Sequence, residues 1–217
     1  MTTKNQTSLG KFVLVITIIA LVFSIALSLW VKYNQPFQLQ AATIWPQSVT
    51  LAPFSLTNDQ NQSFTNENIK NKWTLFFFGY TNCPDVCPTV LHTLNTIAQT
   101  FKETSDIYQK IQYVFVSVDP SRDTPQVLNK YVHYFNKEFI GVTGSISELQ
   151  QFSMQMSVPF GKIVGNPDKE KNYQVDHGSS VVVTNPQGQK FAVFGSPHDA
   201  LKISSDLKYF VTSIVEN

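Results

Sequence analysis

Trp73–Glu103 reads WTLFFFGYTNCPDVCPTVLHTLNTIAQTFKE, and its change of period decides the fold. WTLFFFGY is an unbroken apolar run, the pattern of a strand buried on both faces. From Thr89 the apolar residues recur at helical spacing, so a helix follows directly. A second buried strand, IQYVFVSVD, begins at Ile111. Strand, helix, strand in that order predicts a right-handed parallel crossover.

The flanking segments extend this unit. TPQVLNKYVHYF predicts a second helix with Asp123 or Thr124 as its cap and Pro125 at the first helical position. A third, short helix is expected over Ser145 to Met156. SSVVVTNPQGQKFAVFG reads as two strands around Asn185-Pro186-Gln187-Gly188, with proline and glycine where a type I turn favours them. Ser196-Pro197 repeats the cap-then-proline signature and predicts a last helix reaching about Ile214. Upstream, FSLTNDQNQSFT looks like two short strands around a polar turn. The sum is an α/β protein, a thioredoxin-like sandwich with a central mixed β-sheet flanked by helices.

The 217 residues suit one domain plus an appendage. Phe12–Val31 is an uncharged, largely apolar stretch, and at about 1.5 Å per residue it spans roughly the 30 Å of a bilayer core. Its length favours an uncleaved transmembrane anchor. Ala26-Leu27-Ser28 keeps open a cleaved signal peptide, and a buried helix is the remaining alternative. Lys4 and Lys11 precede the span and only Lys32 closely follows it, so the positive-inside rule puts residues 1–11 in the cytoplasm. The expected organisation is a span over 12–31, a polar, proline-containing stalk over 32–50 and the folded domain over 51–217. Formal charge is +1, but without those three lysines 13 basic side chains face 15 acidic ones. A domain near −2 gives no electrostatic reason to bind nucleic acid.

Cys83 and Cys87 are the only cysteines. Pro88 argues against a helix that starts at Pro84, because it would clash with the carbonyl four residues earlier. The helix is therefore expected to begin at Pro88, with Cys87 as N-cap and its thiolate favoured by the helix N-terminus. Two such thiols make a dithiol/disulfide switch or two ligands for a soft metal. A purely structural disulfide would close too short a loop to stabilise much. Of four histidines, His92, His133 and His198 read as ordinary surface or core residues. His177, in YQVDHGSSVVV, lies just before the predicted hairpin. In a thioredoxin-like sandwich that segment faces the start of the first helix, which makes His177 the candidate third ligand.

Three stretches, Tyr80-Thr81-Asn82-Cys83-Pro84-Asp85-Val86-Cys87-Pro88, Val116 to Pro125 (VSVDPSRDTP) and Tyr173-Gln174-Val175-Asp176-His177, together closely resemble the SCO/SenC family of copper-binding, thioredoxin-like proteins. The resemblance runs from about Leu51 to the C-terminus. It implies one copper ion per chain, Cu(I) or Cu(II), held by Cys83, Cys87 and His177. It also implies a single-pass inner-membrane protein facing the periplasm, or the mitochondrial intermembrane space in eukaryotes, that helps build the dinuclear copper centre of cytochrome c oxidase subunit II, with that subunit or another copper protein as partner and a periplasmic copper donor or a thioredoxin-like reductase as further partners. The chain departs from the family pattern at His177-Gly178, where Ser or Thr is expected, and at Met156 to Phe160; neither departure is expected to touch a ligand.

Thiolates favour Cu(I), and an added imidazole makes a three-coordinate site that also holds Cu(II). Zinc prefers a fourth ligand, which Asp85 could supply. Asp176 is a candidate to orient His177, and Asp119-Pro120 to shape the loop at the carboxyl end of the sheet. Met154 and Met156 read as core or gap-filling residues. The alternative function is a thiol-disulfide oxidoreductase acting on a target's cysteines or in redox signalling, with Cys83 and Cys87 as the redox pair. A peroxidase using one of these thiols is the weakest reading.

Overall fold

The computed structural model describes residues 4–163 and 173–214. Parts of the expected segments, residues 1–3, 164–172 and 215–217, lie outside the described residues. The chain divides into two compact units near Gln38.

The first unit holds α1 (Lys4–Tyr33), of which Gly10–Tyr33 is long and apolar enough to cross a membrane by length and composition. Three hydroxyls within that segment are satisfied by the helix itself: those of Thr17, Ser24 and Ser28 donate to the carbonyls of Leu14, Leu21 and Ile25 at 2.8–2.9 Å. That closure is what an apolar solvent requires of a polar group.

The second unit runs β1 (Ala42–Thr50), β2 (Ser55–Asn58), β3 (Ser63–Thr65), β4 (Trp73–Gly79), α2 (Val86–Lys102), α3 (Ser105–Tyr108), β5 (Ile111–Ser117), α4 (Pro125–Phe135), β6 (Ile140–Thr143), α5 (Ile146–Gln155), β7 (Phe160–Ile163), β8 (Gln174–His177), β9 (Val181–Thr184), β10 (Gln189–Phe194) and α6 (Ala200–Tyr209), which continues as a π-helical turn to Ile214. The main sheet has the order β1-β10-β9-β4-β5-β6-β2-β3. The central strands β4, β5 and β6 are parallel, as the crossover pattern predicts, and the remaining pairs are antiparallel.

Every residue of β4 and β5 is buried. Alternation along β4 sends Phe76 and Phe78 to Phe152 of α5 on one face, with centroids 5.4 and 5.8 Å apart. Trp73 and Phe77 point the other way, Trp73 stacking on Phe210 after α6 at 5.4 Å and Phe77 meeting Phe115 of β5 at 6.0 Å. On that second face α2 lies against α4 and α6. Its buried stripe, Cys87, Val90, Leu91, Leu94, Ile97, Ala98 and Phe101, keeps the helical period that predicted it. Helices on both faces of a mixed sheet make the thioredoxin-like sandwich.

Three boundaries differ from expectation. Residues 42–50, read as the second half of the stalk, form β1 at the sheet edge, paired with β10. Its signal is weak because the strand is mostly exposed and breaks register between Ile44 and Val49, around Pro46. The buried Asp206 carboxylate secures its start by accepting the backbone N–H groups of Gln40, Ala41 and Ala42 at 2.8–3.1 Å. The last helix starts at Ala200, not Pro197, because Asp199 takes the cap and accepts from the Leu201 and Lys202 N–H groups. The first helix of the domain starts at Val86, not Pro88. Pro88 there is the third helical residue, where its missing N–H has no helical partner and the carbonyl four back, Pro84, lies outside the helix.

Candidate metal centre

Cys83 and Cys87 stand at the carboxyl end of β4, where the strand hands over to α2. Cys87 is fully buried and Cys83 is 9% exposed. Tyr80 and Cys83 close a turn through Cys83 N–H to the Tyr80 carbonyl at 3.2 Å. The buried Asp123 carboxylate then pins the loop, accepting from Thr81 N–H at 2.9 Å, Thr81 Oγ1 at 2.6 Å and Ser117 Oγ at 2.5 Å. Gly79, the last residue of β4, leaves room for the thiol: a Cβ there would lie 2.5 Å from Cys87 Sγ and 2.8 Å from the Phe115 ring.

His177 ends β8, which with β7 forms a separate two-stranded antiparallel ribbon that opposes His177 to Phe160. Its Nε2 lies 3.5 Å from Cys87 Sγ and its Nδ1 lies 3.1 Å from the Gly178 carbonyl. A carbonyl only accepts, so Nδ1 carries the hydrogen and Nε2 presents a lone pair to the thiols. The rings of Tyr80 and Phe77 back the imidazole edge-on at 5.6 and 6.2 Å. The approach to the ribbon is held from β10: Lys190 Nζ donates to the Gln155 carbonyl at 3.1 Å and to Ser157 Oγ at 2.8 Å, beneath the Trp45 ring.

The three donor atoms Cys83 Sγ, Cys87 Sγ and His177 Nε2 or Nδ1 fall within 4.8 Å of one another, and among the described residues no other group of three such side chains does so. Metal–sulfur and metal–nitrogen bonds of about 2.0–2.3 Å span donors up to about 4.6 Å apart, so these residues fit one ion with a shift of tenths of an ångström. Burial pushes the Cys87 thiol well above the ordinary thiol range, with Cys83 adding to the rise. The expected depression by the helix N-terminus is thus overridden by desolvation, and deprotonation there needs a cation to accompany it.

Other candidates fall elsewhere. Asp85 is exposed and outside the three-residue group, so a fourth ligand from it is not in place. Asp176 is paired across the ribbon with Gly161 and does not orient the imidazole, since the Gly178 carbonyl does. Asp119 reaches no thiol; it pairs with Arg122 and accepts from the Tyr173 hydroxyl. His92 packs on Phe135, His133 lies 3.3 Å from Asp59, and His198 is half-buried. Met156 is core, whereas Met154 is exposed and fills no gap. The Met156–Phe160 stretch lies closer to the site than expected, because Phe160 is the ladder partner of His177. Gly79, Thr81, Asp123 and Phe160 were not singled out from sequence. Thr81 stands in the Tyr80–Pro88 stretch, Asp123 reads only as a helix cap, and Phe160 closes the Met156–Phe160 departure, so each lies in a marked stretch without being read as part of the site.

A buried dithiol and an imidazole at the carboxyl end of a thioredoxin-like sheet define a soft-metal or thiol-redox protein of that fold class. The SCO1/SenC family model matches residues 44–212, and the chain belongs to that family. A Stutzerimonas stutzeri relative named "Putative copper-binding protein" is 34% identical over 144 residues, 66% of this chain and 68% of the relative. An SCO2-like protein of Rickettsia felis is 28% identical over 204 residues, 92% and 97% of the two chains. Among solved structures, Arabidopsis thaliana ScoI with copper bound superposes with TM-score 0.67 at 32% identity, covering 76% of this chain and 98% of its own.

Proposed function

We propose that this protein is a membrane-anchored copper carrier whose Cys83, Cys87 and His177 hold one copper ion for delivery. The carrying observation is the 3.5 Å approach of His177 Nε2 to Cys87 Sγ with Nδ1 already committed to the Gly178 carbonyl. Two soft sulfurs suit Cu(I), and the imidazole extends the set to Cu(II). Three donors leave a position for an incoming ligand, which suits hand-off. Family membership and the copper-bound Arabidopsis structure support this cargo. Since the Sco family is one of cytochrome c oxidase assembly proteins, we propose the dinuclear copper centre of that oxidase's subunit II as the destination. Lys4 and Lys11, ahead of the apolar Phe12–Val31 segment, support a cytoplasmic N-terminus and a domain facing the periplasm.

Thiol-disulfide exchange is the second reading, favoured by two free thiols so close together. Complete burial and a raised pKa make Cys87 a poor attacking group, so Cys83 would open such a reaction. The full chain in detergent, reduced and titrated with Cu(I) and Cu(II), separates the two. The carrier predicts one tight copper per chain, thiolate-to-Cu(II) absorption lost in His177→Ala, and no retention in Cys83→Ser. Disulfide reductase activity that survives His177→Ala beside a wild type with no tight copper would replace the carrier by a reductase.

A further inference from the structure

Two four-residue strands standing apart from the main sheet are marginal on their own, so β7–β8 needs a brace to hold His177 against the thiols. We propose that Arg122 and Tyr173 are a positioning pair that supplies it, an inference that rests on His177 being a metal ligand.

Tyr173 directly precedes β8. Arg122 Nη1 donates to its carbonyl at 3.2 Å, and the guanidinium carbon lies 3.8 Å from its ring centroid. The Tyr173 hydroxyl donates to the buried Asp119, which also ion-pairs with Arg122 Nε. The base of the histidine-bearing strand is thus fixed by a hydrogen bond, a stacked cation and a carboxylate, all from the loop after β5. Arg122 also lies 5.5 Å from the Tyr80 ring, the ring that backs His177. The same loop holds the cysteines through Asp123 and Thr81. Three residues of this loop, Asp119, Arg122 and Asp123, therefore set the distance between the two halves of the site. A planar, always-charged fork is needed for this; a lysine keeps the charge but neither the directed bond nor the stack.

The test uses the full chain in detergent as wild type, Arg122→Lys, Arg122→Gln and Tyr173→Phe, with two readouts. In copper-free protein, hydrogen exchange of the β8 amides is expected to quicken about 10-fold or more in both Arg122 variants while β9 keeps wild-type protection; Tyr173→Phe, which retains ring and carbonyl, falls between. With Cu(II), the imidazole nitrogen coupling in the electron paramagnetic resonance spectrum weakens and copper release quickens about 10- to 100-fold. Wild-type β8 exchange in Arg122→Gln overturns the proposal. So does equal acceleration of β8 and β9 in all three variants, since Arg122 would then support the whole domain. Faster β8 exchange in a protein that binds no copper sustains the brace and removes the metal reading instead.

Discussion

The cysteine loop and the histidine ribbon contribute to one site and are built in opposite ways. Both thiols lie within five residues, between a strand buried at every position and a helix with a continuous apolar stripe. The imidazole comes from 90 residues further on, at the end of a short strand outside the main sheet. The thiols are placed by core packing, with Asp123 pinning their loop, whereas the imidazole is placed by a few polar tethers and two ring contacts outside the main sheet. For the proposed carrier, this division would let the histidine half shift on release without disturbing the core.

Gly79→Ala is the harshest way to break the comparison, because it attacks the rigid half. The new Cβ would meet Cys87 Sγ at 2.5 Å and Phe115 at 2.8 Å, and neither has free space in a strand–helix contact. A loss of about 2–3 kcal/mol is expected, read as a lower urea midpoint with unchanged slope, together with impaired copper uptake. Wild-type stability and stoichiometry would show that the cysteine loop yields as readily as the ribbon.

How far sequence reached follows the same division. The buried strands, the amphipathic first helix and the hairpin at Asn185–Gly188 were legible because period and turn chemistry are local properties. The start of that helix at Val86 was missed because Pro88 reads as a first residue, although the third position accepts it too, its N–H having no helical partner there either. The edge strand β1 was missed for want of alternation. His177 could be nominated from its place before the hairpin and from a family likeness, but the carbonyl that orients it could not. The obvious neighbour was Asp176, and alternation along β8 carries it to the other face.

Alkaline titration of the copper-free protein probes the buried thiol itself. Burial raises the Cys87 pKa in the folded state, so the folded chain holds its proton more tightly than the unfolded chain. The stability this contributes is complete below the unfolded thiol value of about 8.5 and is lost as pH rises beyond it, with a slope of up to about 1.4 kcal/mol per pH unit. Subtracting the profile of Cys87→Ser, which has no thiol to ionise, isolates the term from tyrosines that titrate nearby. A flat difference between pH 8 and 10 would mean that Cys87 is solvated in solution.

The gentlest probe falls on the histidine side, at Gly178, where the family resemblance leads one to expect Ser or Thr. Gly178→Ser leaves the acceptor of Nδ1 in place, since that acceptor is the backbone carbonyl. The added Cβ would find Val158 Cγ1 at 3.6 Å, an ordinary contact. The substitution also reduces the freedom of the unfolded chain, worth about 0.4–1 kcal/mol in favour of folding where the backbone accepts it. A small gain in thermal midpoint is therefore expected, with copper release unchanged. A loss of about 1 kcal/mol or more, or faster release, would mean that glycine at 178 gives the ribbon a freedom the histidine requires, and that the tethered half is tuned by its backbone as well as by its polar contacts.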